Sequence, residues 1–268
     1  MRRPVSIDSF GTFRGILFIY GMVILRPLIF KKYPEIVFGF NTKWGNERPV
    51  PFYFNVSFSV GDDRNIVAQN RKLFFAAIGL DENTIAYQKQ VHADTVRIVN
   101  SPGFAGESDA LITSKKNLGL AISTADCTPV FIYDPSKKVI AGVHSGWRST
   151  GKKILQKVLE KMKAEYNSSA ADIIVYMGPS ISFKNYEVGE EVASLFDKKY
   201  VVPNKQKYLL DVAGVNYDIL IDFGVNENNI QRSSLCSFEM NNLLHSYRRD
   251  GLKSGRSLGI IALKETNE

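Results

Sequence analysis

The stretch Val139-Ile140-Ala141-Gly142-Val143-His144-Ser145-Gly146-Trp147-Arg148-Ser149-Thr150 organises the reading of this chain. Its first six residues form a short, mostly apolar run, and a run of that length with glycine punctuation predicts a buried strand. Ser149-Thr150 then caps a helix expected over 150–165, because Ile154, Leu155, Val158, Leu159 and Met162 recur at helical spacing. His144 therefore ends a strand. Arg148 falls just before a helix N-terminus, where free N–H groups attract anions. Working outward, residues 118–123 and 130–134 read as further buried strands. Strands are also expected within 23–40 (Val23-Ile24-Leu25 and Ile36 to Phe40) and at 84–88, 95–99, 172–177, 208–211 and 257–263. Residues 52–58 alternate as Phe-Tyr-Phe-Asn-Val-Ser-Phe, a strand-like period. Gly61-Asp62-Asp63 signals the start of a helix over 65–78, with Ile66, Leu73, Phe74 and Ala77 on one face and Gly79 as its C-cap. Helices are expected near 187–196 and 214–222. Strands and helices alternate loosely, which predicts a single α+β domain with mixed sheets.

The chain has three histidines and two cysteines. His92 lies in Gln90-Val91-His92-Ala93-Asp94-Thr95, and Cys127 in Thr124-Ala125-Asp126-Cys127-Thr128-Pro129. Together with His144 they suggest a three-ligand zinc site whose fourth position stays open, the pattern of a catalytic zinc. Each residue alone also reads as an ordinary packed side chain, and the long spacing matches no short zinc motif.

With 268 residues and 44% hydrophobic content, the chain can bury a sizeable core without disulfides. Two cysteines argue against a secreted disulfide framework and for a reducing cytoplasm. The net charge of +7 is spread along the chain with no block of like charge, so it predicts a solvated basic surface and no nucleic-acid partner. Phosphate or a phosphorylated substrate remains compatible with it. Arg2 and Arg3 precede the apolar stretch Gly15 to Leu25, which has the order of a secretory signal. The stretch is too short to span a bilayer, and no small-residue cleavage site follows it. Residues 1–21 are therefore expected to be an upstream extension, with the domain over 22–268 and no membrane association.

Several ordered blocks resemble a known family. They are Gln90-Val91-His92, Ser108-Asp109-Ala110-Leu111-Ile112-Thr113, Thr124 to Pro129, Gly142 to Arg148, Gly178-Pro179-Ser180-Ile181 with Tyr186-Glu187-Val188-Gly189, and Ser246-Tyr247-Arg248-Arg249-Asp250-Gly251 with Gly255-Arg256. The chain is similar over 22–264 to the laccase-domain family, also called YfiH-like or polyphenol oxidase. The resemblance implies a four-layer α/β/β/α sandwich and a zinc held by His92, Cys127 and His144. It departs at Ser145 and Ser149, where the family usually has Ala and Gly, and at His245, which replaces an apolar residue. His245 and Cys236 are expected to be non-ligands.

The resemblance also implies a purine nucleoside phosphorylase acting on adenosine, inosine and S-methyl-5′-thioadenosine, with adenosine deaminase activity, as a monomer or weak homodimer. An open zinc position can polarise an oxygen or acidify water. Arg71, Arg148 and Arg249 are the candidates for phosphate, and Asn55 and Asn70 for sugar hydroxyls. Asp126, next to a ligand, is a candidate acid–base or ligand-orienting group, and Arg148 a candidate for stabilising charge in the reaction. Four alternatives stand beside this reading. A His/His/Cys site can take copper and oxidise phenols, although three histidines are too few for a multi-copper cluster. Cys127 with a histidine could form a cysteine hydrolase. The family is also linked to peptidoglycan precursor editing. Finally, a zinc site closed by His245 or Cys236 would make a binding module.

Overall fold

The structure, a computed structural model, describes residues 15–19, 21–46 and 50–265. Strands β1 (Ile16–Ile19), β2 (Met22–Leu25) and β3 (Ile36–Asn41) come first, followed by helix α1 (Arg64–Ala77). Strands β4 (Ile85–Lys89), β5 (Val96–Ile98), β6 (Gly103–Glu107), β7 (Ala110–Thr113), β8 (Gly119–Thr124), β9 (Thr128–Asp134) and β10 (Val139–Ser145) follow. Helices α2 (Trp147–Gly151) and α3 (Ile154–Tyr166) lead to β11 (Ile174–Met177), β12 (Glu187–Val188), α4 (Glu190–Ala193), β13 (Val201–Asn204) and β14 (Lys207–Leu210). The chain finishes with α5 (Val212–Asp222), β15 (Ile230–Arg232), α6 (Tyr247–Asp250) and β16 (Ser257–Leu263).

Two mixed sheets carry the fold. One runs β1-β2-β3-β16-β8-β4-β6 and the other β15-β11-β9-β10-β7-β5, with a small third sheet β12-β14-β13. Side chains along a strand alternate between faces, and that alternation builds the layers. In β9, Phe131 and Tyr133 point into the core between the sheets, while Val130 and Ile132 point outward against α3 and α5. In β16, Ile261 and Leu263 point inward, and Leu258, Ile260 and Ala262 pack under α1. Strands buried on both faces read as continuous apolar runs, which is why β9, β10 and β16 are buried throughout. The result is the expected α+β, four-layer α/β/β/α sandwich, with α1 on one side and α3 and α5 on the other.

Local chemistry explains the matches and the departures. Asp63 caps α1 by accepting from the N–H groups of Asn65 and Ile66, and Gly79 leaves it at φ +75°. The helix expected over 150–165 is two helices. Lys153 adopts a left-handed backbone (φ 58°) between them, and Ser149 Oγ accepts from Gly146 N–H at the true start, so Arg148 lies inside the first turn of α2. The apolar stripe begins only at Ile154, so periodicity does not register this break. Residues 52–58 form no strand. Phe54 and Val56 are buried, as alternation predicts, but the Asn55 amide donates to Ser57 O and accepts from Ser57 N–H, satisfying locally the groups a ladder would use. The expected helix at 187–196 shrinks to α4, because Glu187–Val188 pair with β14. Ile16–Ile19 pair antiparallel with Met22–Leu25. Residues 1–14 and 20 of the expected upstream extension lie outside the described residues. Among the described residues no helix is long and apolar enough to cross a membrane.

Candidate metal centre

Three chain segments meet at one end of the sandwich. His92 follows β4 of the first sheet, Cys127 sits in the turn by which β8 of the first sheet passes to β9 of the second, and His144 is near the end of β10. His144 shares the inward parity of Ile140 and Gly142, so its ring enters the space between the sheets rather than the outer core. The three donor atoms lie within 4.8 Å of one another. Cys127 Sγ is 3.9 Å from His92 Nε2, and the two imidazole rings meet edge to face at 4.8 Å.

The surroundings fit a metal. Two imidazoles and a thiolate are a borderline-soft donor set suited to zinc or copper. The space over the donors is kept clear by Gly146, where a Cβ would lie 2.9 Å from Cys127 Sγ and 3.1 Å from His92 Cδ2. Burial alone would push the Cys127 thiol up, but the His144 and His92 rings pull it down to about 6, favouring the thiolate that binds metal. Burial would lower His144, and the Cys127 and Asp109 charges raise it to about 9. Cys236 is buried, with its sulfur accepting from Ser182 N–H. His245 is buried elsewhere, its Nε2 without a hydrogen-bond partner. Neither joins the cluster, so the three donors leave room for an exogenous group.

Asp109 is the residue the sequence reading passed over. Its carboxylate is fully buried and accepts from the N–H groups of Val91, His92 and Ala93 and from His144 Nδ1. Its backbone carbonyl also accepts from His144 N–H at 2.8 Å. The Ser108 to Thr113 block marks its position in the sequence, but nothing local assigns its role. Asp126 adopts a positive φ of 93°, unusual for a non-glycine residue. Its carboxylate accepts from Ser237 Oγ and from Arg248 N–H, both at 2.6 Å, and so ties the Cys127 turn to the Ser237 loop and to the start of α6.

The arginines divide. Arg249 is engaged by the carbonyls of Ser237, Phe238 and Leu244 and by Asp250. Arg71 pairs with Glu82, donates to Val56 O and lies against the Phe58, Phe75 and Tyr87 rings. Asn70 donates to Asn55 O, and Asn55 Oδ1 accepts from Arg256 N–H. These four residues brace the frame. By contrast Arg148 is exposed and its guanidinium lies 4.2 Å from the Trp147 ring, with no hydrogen bond among the described residues. Arg248 lies 4.9 Å from the Tyr186 ring and donates to Glu187 O. Tyr186 is raised by burial and then by the charge of Cys127, with Arg248, Asp126 and Arg148 also in reach. Arg256 is lowered by burial, opposed by Asp126 and Cys127. Arg148 and Arg248 thus act by charge on Tyr186, and Cys127 acts by charge on Tyr186 and Arg256, which links these four side chains electrostatically to the Cys127 end of the cluster. Of these, only Arg148 stood out in the sequence as a site residue.

Comparison with known proteins places these features in a lineage. The purine nucleoside phosphorylase of Clostridium acetobutylicum is 36% identical over 221 residues, covering 79% of this chain and 87% of that one. The purine nucleoside phosphorylase YlmD of Bacillus subtilis is 30% identical over 249 residues, covering 86% and 90%. The crystal structure of the hypothetical protein YfiH from Bacillus licheniformis superposes with a TM-score of 0.85 at 28% identity, covering 94% of this chain and 99% of that one. YlmD from Geobacillus stearothermophilus gives 0.85 at 26% identity, covering 95% and 99%. The family model described as multi-copper polyphenol oxidoreductase laccase matches residues 37–264, and the chain belongs to that family.

Proposed function

We propose that this protein is a zinc-dependent purine nucleoside phosphorylase, acting on adenosine, inosine and S-methyl-5′-thioadenosine, and that the same site deaminates adenosine. The observation that carries the reading is the His92/Cys127/His144 cluster, with the Tyr186 phenol and the Arg256 guanidinium within the influence of the Cys127 charge. The activity in the names of the relatives supplies the substrate class. Zinc is favoured over multi-copper chemistry because the chain has three histidines and one of them, His245, lies outside the cluster.

In phosphorolysis a phosphate oxygen bonds to ribose C1′ as the C1′–N9 bond breaks. The electron pair leaves with the purine, which is then protonated to the free base beside ribose 1-phosphate. Bound zinc would supply a Lewis acid to polarise an oxygen at this place. The chain's own groups do the rest. Arg148 and Arg248 offer guanidinium donors to a dianion, and ring stacking limits the freedom each loses on binding. Arg256, whose N–H donates to Asn55 and whose guanidinium donates to Ser254 O and Gly255 O over the Tyr247 ring, adds a positive charge within the influence of Cys127. The raised Tyr186 phenol stays protonated at neutral pH and can donate to developing negative charge. Asp126 holds the Cys127 turn and the Arg248 backbone in register.

Chromatographic product analysis tests this. Zinc-loaded protein with adenosine is expected to release adenine only when phosphate is present, and some inosine without it. No free base (adenine or hypoxanthine) and no deaminated nucleoside from any of the three nucleosides would overturn the reading and bring forward phenol oxidation or cell-wall precursor editing.

A further inference from the structure

His92 lies in the loop after β4 of the first sheet and His144 on β10 of the second, 52 residues apart in sequence, yet one carboxylate touches the segments of both. Asp109 Oδ1 accepts from His92 N–H at 3.0 Å and from His144 Nδ1 at 2.8 Å. Its Oδ2 accepts from Ala93 N–H at 2.7 Å and Val91 N–H at 3.2 Å. His92 is left-handed at φ 58°, and this turns three successive N–H groups onto one anion, the geometry of a backbone nest. A nest without its anion would leave those part-buried donors turned onto an unfilled position against the buried Asp109 site. On the other side, a proton held on His144 Nδ1 by the carboxylate leaves the Nε2 lone pair for a metal.

We infer that Asp109 is the positioning residue of the metal centre: one buried carboxylate sets the backbone of His92 and the ring tautomer of His144 together, so that the site is formed before metal arrives. This rests on the metal-site reading above. Asp109 touches neither substrate nor metal in this scheme; it acts through both ligands. Asparagine at this position has the same shape but only one acceptor oxygen. Its NH2 group must face either the Val91 and Ala93 N–H groups that flank His92 or the His92 N–H and the His144 ring, so in either orientation part of the support of the ligands is lost.

The test is metal affinity measured by competition with a chromophoric chelator, on wild type and Asp109→Asn, together with the absorption spectrum of the cobalt-substituted proteins. Asp109→Asn is expected to bind zinc about 10–100-fold more weakly and to show altered ligand-field and thiolate charge-transfer bands. Affinity within about twofold of wild type, with unchanged cobalt bands, would overturn the inference; the comparison scale is the same second-sphere loss. If wild type itself takes up neither zinc nor cobalt, the metal-site reading fails instead. Nitrogen-15 NMR of wild-type His144 decides the positioning role independently of any variant's folding. A Nδ1 proton protected from exchange is expected whether or not Nε2 is protonated, and a ring protonated only at Nε2 overturns the assignment.

Discussion

Gly146 lies against Cys127 so closely that a Cβ at position 146 would sit 2.9 Å from the sulfur. The backbone there has φ −80°, accessible to any residue, so the constraint is space and not torsion.

Gly146→Ala is therefore expected to remove metal while leaving the fold in place. The added methyl would also lie 3.1 Å from His92 Cδ2, so two of three ligands must move. Metal content of the purified variant, read by elemental analysis, should fall well below one per chain. A variant that retains full metal would refute the crowding argument.

Cys127→Ala should abolish metal binding and phosphorolysis together, because the thiolate is one of three donors. Cys127→Ser separates the ligand role from a nucleophile role. It should fail to regain either property, since a hydroxyl is a poor substitute for a thiolate on zinc. Turnover retained by metal-free Cys127→Ala would sink the ligand assignment.

Arg248 and Arg249 are neighbours with opposite expected phenotypes. Arg249→Ala leaves three carbonyls and Asp250 without their donor, and should cost about 3 kcal/mol of stability. Arg148→Ala and Arg248→Ala should raise the KM for phosphate about tenfold or more, with little change in the urea midpoint. The measurement is KM for phosphate against unfolding midpoint for the three variants. A phosphate defect in Arg249→Ala without destabilisation would reverse the assignment.

His245 makes stability fall in mild acid. Burial, with the Lys43 charge next, lowers its pKa to about 3. The unfolded chain takes up this proton below about 6.5 and the folded protein does not, so the stability it protects is complete above that pH. The stability is lost as pH falls from there toward about 3. The contribution lost by pH 5 is about 2 kcal/mol. Urea unfolding of wild type and His245→Asn at pH 7 and pH 5 should show a smaller loss in the variant. Equal losses would show that His245 titrates alike in both states.

The ligand set was legible because each donor sits in a short, distinctive block: Gln90-Val91-His92, Ala125-Asp126-Cys127 and Gly142-Val143-His144. The layers were legible because period-two burial in β9 and β16 leaves continuous apolar runs and the α3 stripe has helical period. What periodicity misses is backbone satisfied by something other than a ladder or a helix. Residues 52–58 alternate because alternate side chains are buried, while the Asn55 amide replaces strand partners. Lys153 breaks a helix before its apolar stripe begins, where no pattern exists to interrupt.

By itself the sequence determined the buried strands and amphipathic helices, through apolar period, and singled out three candidate donors, through residue type and the resemblance of their blocks to one family. Only the tertiary structure decided how those donors are held and which arginines are tied into the frame. Asp109 lies 17 residues from His92 and 35 from His144, and no local rule brings a carboxylate to both. Arg248 and Arg249 are chemically identical in sequence. The turn of α6 points one guanidinium at the carbonyls of Ser237, Phe238 and Leu244 and leaves the other over the Tyr186 ring. Side-chain direction is set by packing over the whole chain, and that is why residue type alone does not separate one arginine from the other.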